Sequence, residues 1–143
     1  MATPGLPTSL TLEIVTPDRA LVTEQVDEVE VPGSGGYFGV LPGHAPLLAS
    51  LQVGELWYRK GQEKHYLAIA FGFVEVLPDK VTVLAQIAER AEDIDRRRAE
   101  QAKARAEERM AGRNPDIDFE RARVAMMKSL IRLQVASRAR THA

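Results

Sequence analysis

His44 is the first residue of this sequence whose type could do chemistry, because it lies in an otherwise apolar segment, GVLPGHAPLL (residues 39–48). A catalytic histidine needs a nucleophile or an orienting carboxylate, and a metal site needs at least two further ligands. His65 and His142 lie at no ligand spacing from His44. We therefore expect neither a catalytic group nor a metal here. Two interpretations remain, a histidine that fixes a rigid turn and a loop that contacts a partner.

Pro42 and Pro46 restrict the backbone on both sides of this histidine. A restricted loop loses little conformational entropy on binding, so it suits a preformed contact surface. Apolar side chains form the edge of this surface. They are Val40, Leu41, Leu47 and Leu48.

The second candidate group is a cationic stretch, IDRRRA (residues 94–99), in a segment that reads as helical. At about 100° per residue, side chains seven positions apart nearly superpose, so Arg98 and Arg105 share one helix face with Asp95. The planar fork of arginine suits phosphate oxygens, and the small Ala99 leaves room for a ligand. A triphosphate is the candidate ligand.

Lys128 and Arg132 lie on a second predicted helix, and folding that helix back brings them level with Arg98. Four cations around one cleft repel one another unless an anion lies among them. The alternative interpretation is a solvated helix face with intrahelical ion pairs, such as Asp95 with Arg98. Nucleotide hydrolysis is not expected, because GSGGYFG lacks the Lys-Ser/Thr and the helix of a P-loop.

Composition excludes several other classes of protein. The chain has no cysteine, so it forms no disulfide and no thiolate metal site. No stretch resembles a signal peptide or approaches the roughly 18 apolar residues that span a bilayer, so we expect a soluble protein without direct membrane insertion. Acidic residues along both helices oppose a nucleic-acid footprint, and a hydrolase would need an acid, a base and a nucleophile that are not evident.

Charge and glycine content divide the chain near residue 88. Residues 1–88 contain five Lys/Arg and ten Asp/Glu, whereas residues 89–143 contain fourteen and ten. The first segment also holds nine of the ten glycines and seven of the eight prolines. This division predicts two domains, residues 1–88 and 89–143, with different kinds of structure.

Apolar residues alternate in the first domain, as in LTLEIV and DEVEV, which is typical of strands with one solvated face. Residues 55–70 and 70–85 read as two β-hairpins with turns at residues 60–62 and 78–80. Short strands separated by turns predict an antiparallel β-sandwich or flattened barrel. The strand order stays open.

Alanine, glutamate and arginine dominate the second domain, which predicts a helix from Ala88 to Gly112. Gly112 can end that helix in the left-handed conformation, and Pro115 cannot continue it. Asp116 or Asp118 can cap a second helix. The predicted fold class is therefore α+β, a β-sandwich followed by an antiparallel two-helix hairpin.

Small side chains form the facing stripes of this hairpin, so its helices approach closely but bury little apolar area. We expect such a hairpin to open easily. The predicted stripe residues are Ala91, Ala99, Ala102 and Ala106 on the first helix, and Phe119, Ala122, Met126, Leu130 and Leu133 on the second.

Three segments together carry a family resemblance: GSGGYFGVLPGHAPLL, the strand VTVLA and AEDIDRRRAE at the start of the helical tail. From about Leu10 to Val135 the chain resembles the epsilon subunit of bacterial F-type ATP synthases. The resemblance implies a non-catalytic rotor subunit of the central stalk, which couples the gamma subunit to the ring of membrane c subunits during proton-driven ATP synthesis. It also implies a peripheral location on the cytoplasmic face of the bacterial plasma membrane.

The resemblance further implies that the sandwich docks on gamma and on the c-ring through two loops. Tyr37 stands where some relatives carry an acidic residue. The implied docking residues are Gly33, Gly36, Tyr37, Leu41, Pro42, Gly43 and His44.

Some epsilon subunits bind ATP through a motif Ile/Leu-Asp-x-x-Arg-Ala, and IDRRRA matches it. ATP would then be a regulatory ligand and not a required cofactor, and its loss would let the helices extend toward the alpha and beta subunits and inhibit ATP hydrolysis. Lys128 departs from the family's best ATP binder, which has arginine there. The implied ATP-binding residues are Glu89, Ile94, Asp95, Arg98, Ala99, Arg105, Lys128 and Arg132. The alternative is a purely structural rotor subunit without nucleotide sensing.

Overall fold

A computed structural model describes residues 5–112 and 118–139 of the chain, and these form one sheet and a helical hairpin. The strands are β1 (Leu10–Val15), β2 (Ala20–Val26), β3 (Glu28–Gly33), β4 (Gly36–Val40), β5 (Leu47–Lys60), β6 (Glu63–Leu77) and β7 (Lys80–Arg90). The helices are α1 (Arg96–Ala111) and α2 (Phe119–Ala139), and a short 3₁₀ turn at Ala91–Asp93 precedes them.

The seven strands have the order β2-β1-β7-β6-β5-β3-β4, and every neighbouring pair is antiparallel except β1 with β7. The edge strands β2 and β4 do not pair with each other, so the sheet is not a closed barrel. It curls around one apolar core to which all seven strands contribute. The predicted fold class, a β-sandwich followed by two helices, is confirmed.

Alternating burial follows from the alternating sequence. In β1, for example, Leu10, Leu12 and Ile14 are fully buried, whereas the residues between them are half-buried. Both predicted hairpins form: β5 turns into β6 at residues 61–62, and β6 turns into β7 at residues 78–79. The local turn residues therefore determine these two connections.

A bend across β6 changes which face the strand buries. Leu67 and Ile69 point into the sandwich core before the bend, and Val74 and Val76 do so after it, so odd positions give way to even ones. Phe71 and Gly72 lie between them with positive φ angles of 62° and 121°. A Cβ on Gly72 would lie 2.0 Å from the Leu84 carbonyl oxygen, so only glycine fits there. This bend lets long strands run through both layers of the sandwich.

The prediction that the first helix begins at Ala88 is wrong. Residues 88–90 continue β7, where Ala88 pairs with Ile69 and Arg90 pairs with Leu67. Hydrogen bonds to β6 override the strong intrinsic helix propensity of Ala-Glu-Arg, since tertiary contacts outweigh propensity. Helix α1 begins only after Asp95, whose side chain accepts a hydrogen bond from the Arg98 backbone N–H at 3.1 Å.

The caps of the hairpin agree only in part with the sequence-based expectations. Asp118 caps α2, because its side chain accepts a hydrogen bond from the Arg121 backbone N–H at 3.1 Å. Gly112 ends α1 with a φ of −70°, so the expected left-handed conformation is wrong. The predicted turn around Pro115 and the alternative cap, Asp116, lie outside the described residues.

The stripe between the two helices is even smaller than expected. Ala99 and Ala106 of α1 and Ala122 of α2 are buried as predicted, and Ser129 joins them. Two predicted members of the stripe, Phe119 and Leu130, are exposed instead. Leu130 follows the buried Ser129 by one residue, so it lies about 100° around α2 from the stripe.

Helix α2 is the helix that lies against the sheet, where it packs on β5 and β6. Mostly small apolar side chains are buried in this contact, and Tyr66, Ile131 and Ala139 pack against them partly buried. The buried members are Ala68, Ala91, Ile94, Val135 and Ala136. The hairpin is thus folded onto the sandwich. Neither α1 nor α2, as far as their residues are described, is long and apolar enough to cross a membrane.

Candidate functional site

The tight turn between β3 and β4 is the first of the two predicted docking loops. Gly33 is required there, because an added Cβ would lie 2.9 Å from both the Gly36 carbonyl oxygen and the Phe38 ring. Gly36 has a φ of 133°. The Ser34 backbone N–H donates to the Ser50 carbonyl at 2.8 Å and ties the turn to β5. The loop is therefore a rigid surface feature.

Tyr37 leaves this turn with about half of its surface exposed. Its hydroxyl accepts a hydrogen bond from the Glu55 backbone N–H at 3.1 Å. The ring lies over Gly54, where an added Cβ would stand 2.5 Å from the hydroxyl oxygen. One side of the tyrosine is thus fixed to β5 and the other side is open to solvent.

His44 belongs to the second predicted docking loop, where its contacts are local. Its backbone N–H donates to the Leu41 carbonyl at 3.1 Å, and its ring Nδ1 lies 2.7 Å from the Ala45 carbonyl oxygen, which can only accept. Gly43 has a φ of 87° and donates to the Pro78 carbonyl at 2.7 Å. These hydrogen bonds fix the turn and also anchor it to the turn between β6 and β7. Pro42, in the same loop, is half-buried.

The two predicted docking loops lie at opposite ends of β4, roughly 16 Å apart for five extended residues. Beside the second loop, Leu41, Leu47 and Leu48 are exposed as expected. Val40 was expected at this edge, but it is fully buried in the core because the alternation of β4 turns it inward. The described parts of the chain contain no cluster of three metal-ligating side chains.

Two neighbouring exposed apolar residues on the sheet are among those that the sequence reasoning missed. Phe73 and Leu84 are cross-strand partners on β6 and β7, and they are 57% and 53% exposed. Phe73 also pairs with Ser50, two residues from the exposed Leu48. Because the bend at Gly72 reverses the inward and outward positions, simple alternation could not reveal this outer apolar face. We call Leu48, Phe73 and Leu84 the outer patch.

A cavity of about 240 Å³ lies between the sheet and the hairpin, and it holds part of the predicted ATP site. Glu89 of β7 and Arg132 of α2 meet at its wall. Arg132 Nε lies 2.7 Å from Glu89 Oε1, and Arg132 Nη2 donates to Glu89 Oε2 at 3.1 Å. The two charges therefore form an ion pair, with one hydrogen bond from Nη2, that joins helix to sheet.

Lys128 lines the same cavity, and its ammonium lies 5.6 Å from the centre of the Phe71 ring. The rest of the lining is mostly apolar. It comprises Val53, Ala68, Ile69, Ala70, Ile87, Ala102, Ala125, Ser129 and Ile131. Such a lining suits a flat apolar ring, while the charges at the wall suit a polar group.

The other predicted ATP-binding residues lie apart from this cavity lining. Arg98 and Arg105 are exposed on α1. Asp95 is the cap of that helix, Ile94 is buried against α2, and Ala99 is buried between the helices. The structure thus brings together Glu89, Lys128 and Arg132 but leaves the two α1 arginines in solvent.

Glu55 is a site that sequence reasoning missed. This carboxylate of β5 is 6% exposed, and it accepts hydrogen bonds from Gln134 Nε2 at 2.5 Å and from Arg138 Nε at 3.0 Å. The hydrogen bond between Arg138 and Glu55, together with the charge of Glu55, raises the pKa of Arg138. One sequence signal for this site was that Glu55 interrupts the apolar run of β5. A charged residue within such a run is expected to be buried and paired with a distant residue.

Comparison with known proteins shows the family. Residues 9–91 match the family model "ATP synthase, Delta/Epsilon chain, beta-sandwich domain", and residues 92–137 match "ATP synthase, Delta/Epsilon chain, long alpha-helix domain". The chain is 50% identical over 131 residues to the ATP synthase epsilon chain of Nitratidesulfovibrio vulgaris (strain DP4), which covers 92% of this chain and 98% of that one. It is 48% identical over 130 residues to ATP synthase epsilon chain 2 of Syntrophotalea carbinolica, covering 90% and 94%.

Solved structures agree in fold. A chain of the Euglena gracilis mitochondrial ATP synthase, in a structure of OSCP, F1 and the c-ring, superposes with a TM-score of 0.81 at 21% identity. The match covers 96% of this chain and 86% of that one. Together with the matches to both family models, these similarities show that the chain belongs to the delta/epsilon chain family of ATP synthases.

Proposed function

We propose that this chain is the epsilon subunit of a bacterial F-type ATP synthase, a non-catalytic part of the central stalk at the cytoplasmic face of the plasma membrane. In this role the subunit joins the gamma subunit to the c-ring during proton-driven ATP synthesis. Family membership over residues 9–137 supports the proposal, as do the epsilon chains of bacteria that are about half identical to it.

The sandwich offers two kinds of surface for such contacts. The turns at Gly33–Gly36 and at residues 41–44 are held by glycine geometry and backbone hydrogen bonds, so they can bind without much loss of entropy. The outer patch adds apolar area on one face of the sheet, where a partner can exclude water. We propose that these surfaces dock on the c-ring and on gamma.

We propose further that the hairpin regulates ATP hydrolysis by leaving the sandwich. One observation carries this part: α2 contacts the sheet through small side chains and two ionic contacts, Glu89–Arg132 and Glu55–Arg138. Detaching the helix therefore exposes little apolar area, and water can solvate the separated charges. The extended hairpin would reach the alpha and beta subunits and block hydrolysis.

ATP is the proposed ligand that further stabilises the folded hairpin. The mostly apolar cavity can hold the base, and Lys128 and Arg132 at its wall can meet the phosphates. Arg98 and Arg105 are long and exposed, so rotation of their side chains could bring them to the same phosphates. ATP would be bound and not hydrolysed.

Truncation tests the regulatory part. A chain that ends after Asp93 keeps β7 and the 3₁₀ turn but lacks both helices. In the assembled enzyme this variant should raise ATP hydrolysis without abolishing coupling between hydrolysis and ion transport. Equal hydrolysis rates for the truncated and full-length enzymes would contradict the proposed inhibition.

Calorimetric titration of ATP into the full-length chain tests nucleotide binding. Arg98→Ala should abolish or strongly weaken saturable binding, whereas Arg97→Ala should not, because Arg97 is an exposed neighbour outside the proposed site. No heat at millimolar ATP, with or without Mg²⁺, would contradict nucleotide sensing and leave a rotor subunit whose hairpin, if regulatory, responds to something other than ATP.

A further inference from the structure

We infer that Glu55 is a clasp residue, whose buried carboxylate holds the C-terminal part of α2 on the sheet and keeps the hairpin folded without any nucleotide. We call Glu55, Gln134 and Arg138 the clasp. The inference rests on the proposed function only in treating the hairpin as the moving element, and it requires no ATP.

The geometry of the clasp is that of a carboxylate with satisfied hydrogen bonds. Gln134 Nε2 donates to Glu55 Oε2 at 2.5 Å, and Arg138 donates to Oε1 through Nε at 3.0 Å and to Oε2 through Nη2 at 3.5 Å. Gln134 and Arg138 are four residues apart, so they lie on one face of α2. Both donors thus reach the carboxylate only while this face of the helix lies on the sheet.

Tyr66 fixes the guanidinium of the clasp from a second direction. The Arg138 guanidinium carbon lies 5.1 Å from the centre of the Tyr66 ring, within the range of a cation–π contact. The Arg138 side chain is still 43% exposed, so it keeps part of its hydration, whereas the Glu55 side chain is only 7% exposed. The cost of removing water therefore falls mainly on the carboxylate.

For the ion pair between Glu55 and Arg138, the relevant comparison is between the folded hairpin and the detached hairpin. A buried ion pair often gains little when compared with an apolar replacement, because both charges lose water. In the folded hairpin, however, Glu55 lies under α2, so losing Gln134 and Arg138 while α2 stays in place would leave a buried charge without donors. The Glu55 carboxylate therefore has two favourable states. It is bound by Gln134 and Arg138 in the folded hairpin, or it is solvated by water after the hairpin detaches.

The clasp is distinct from the ionic contact at the cavity. Glu89 and Arg132 belong to the proposed ATP site, whereas Glu55, Gln134 and Arg138 do not line that cavity. Nucleotide binding and clasp closure can therefore be altered by separate substitutions. In this arrangement the folded hairpin is the resting form, and ATP adds to a closure that already exists.

Electron spin distance measurements on the full-length chain test the inference. The chain has no cysteine, so Asp18→Cys on the exposed β1–β2 turn and Ser137→Cys on the exposed side of α2 give one labelled pair. Without ATP, the labelled parent should show mainly one short distance. Glu55→Gln keeps the size of the side chain but removes its charge, and it should increase the population with long distances about five-fold or more, since charge-assisted hydrogen bonds are lost.

Glu75→Gln is the matched control, because Glu75 is exposed on β6 and the same substitution there should leave the distances unchanged. Arg138→Gln tests the clasp from the helix side, and its effect should be less than additive with that of Glu55→Gln, since both remove the same ion pair. Circular dichroism of each variant verifies the fold. Unchanged distances in both folded clasp variants would overturn the inference.

Repeating the distance measurements with ATP distinguishes a failure of this inference from a failure of the proposed nucleotide sensing. If millimolar ATP does not bind and the parent is folded without it, the clasp stands and nucleotide sensing fails. If the parent is mostly extended without ATP and folds only when ATP is added, the clasp is overturned and nucleotide sensing stands.

Discussion

The β-sandwich and the contact of the hairpin with the sheet bury side chains of very different size. The sandwich core contains fully buried residues such as Leu12, Leu56 and Tyr58, whereas the hairpin contact consists mainly of alanines around Ile94 and Val135. Since hydrophobic stabilisation scales with buried apolar area, the sandwich is the stable body and the hairpin is the weakly held part. A detachable element in this chain combines small apolar contacts with charges that water can solvate after release.

The bend of β6 should be the most sensitive point of the stable body. Gly72→Ala places a Cβ 2.0 Å from the Leu84 carbonyl at a φ of 121°, so we expect a loss of about 3 kcal/mol or more, or failure to fold. Thermal unfolding and yield of soluble protein measure this effect. Gly35→Ala is the control, because no atom of the described residues lies within 4 Å of its Cβ position, and it should change stability by less than about 0.5 kcal/mol.

Shortening one buried side chain in each region should distinguish a global from a local loss of stability. Leu12→Ala creates a cavity in the sandwich and should lower the free energy of unfolding by about 2–5 kcal/mol. Val135→Ala removes the equivalent of two methylenes from the hairpin contact, which is worth about 1.6 kcal/mol.

Hydrogen exchange distinguishes the two variants. Amides throughout the sandwich should exchange faster in Leu12→Ala, whereas in Val135→Ala the change should be confined to the hairpin. Faster exchange of the β1 amides in Val135→Ala would contradict the division into a stable body and a weakly held part.

The first turn of α1 tests whether Asp95 acts as a cap. Asp95→Ala removes the acceptor of the Arg98 backbone N–H and should cost about 1 kcal/mol of helix stability. Asp95→Ser keeps a cap but removes the carboxylate, so it should preserve the helical signal in circular dichroism. If Asp95→Ser also loses ATP binding in calorimetry, the carboxylate acts on the nucleotide as well as on the helix.

The smallest expected effect concerns alkaline pH. Burial, followed by the nearby Glu24 carboxylate, raises the pKa of Tyr58 from 10.0 to about 12. Between those values the folded chain holds a proton that the unfolded chain has lost, so the contribution to stability is complete below pH 10 and is lost as pH rises through about 12. Tyr58→Phe should make stability fall less steeply over that range in denaturant titrations. An identical slope in parent and variant would show that other groups cause the loss.

Local features of the sequence were sufficient for much of the fold. The alternation in β1, the turns at Gly61 and Pro78 and the cap at Asp118 each depend on neighbouring residues, so a short window of sequence predicts them. The division into a glycine-rich sandwich and an alanine-rich hairpin is likewise a matter of composition. The match of IDRRRA to an ATP-binding motif was also evident, because such a motif is a property of a few adjacent residues.

Contacts between distant residues decided the rest. β7 continues through Arg90 because β6 supplies backbone hydrogen bonds that outweigh helix propensity. The outer patch exists because the bend at Gly72 exchanges the two faces of the strand. Glu55 and Arg138 meet although 83 residues separate them, and no local pattern encodes such a pair. The sequence alone determined the elements and their types, whereas only tertiary packing determined which charges face each other, since that depends on how whole elements are stacked.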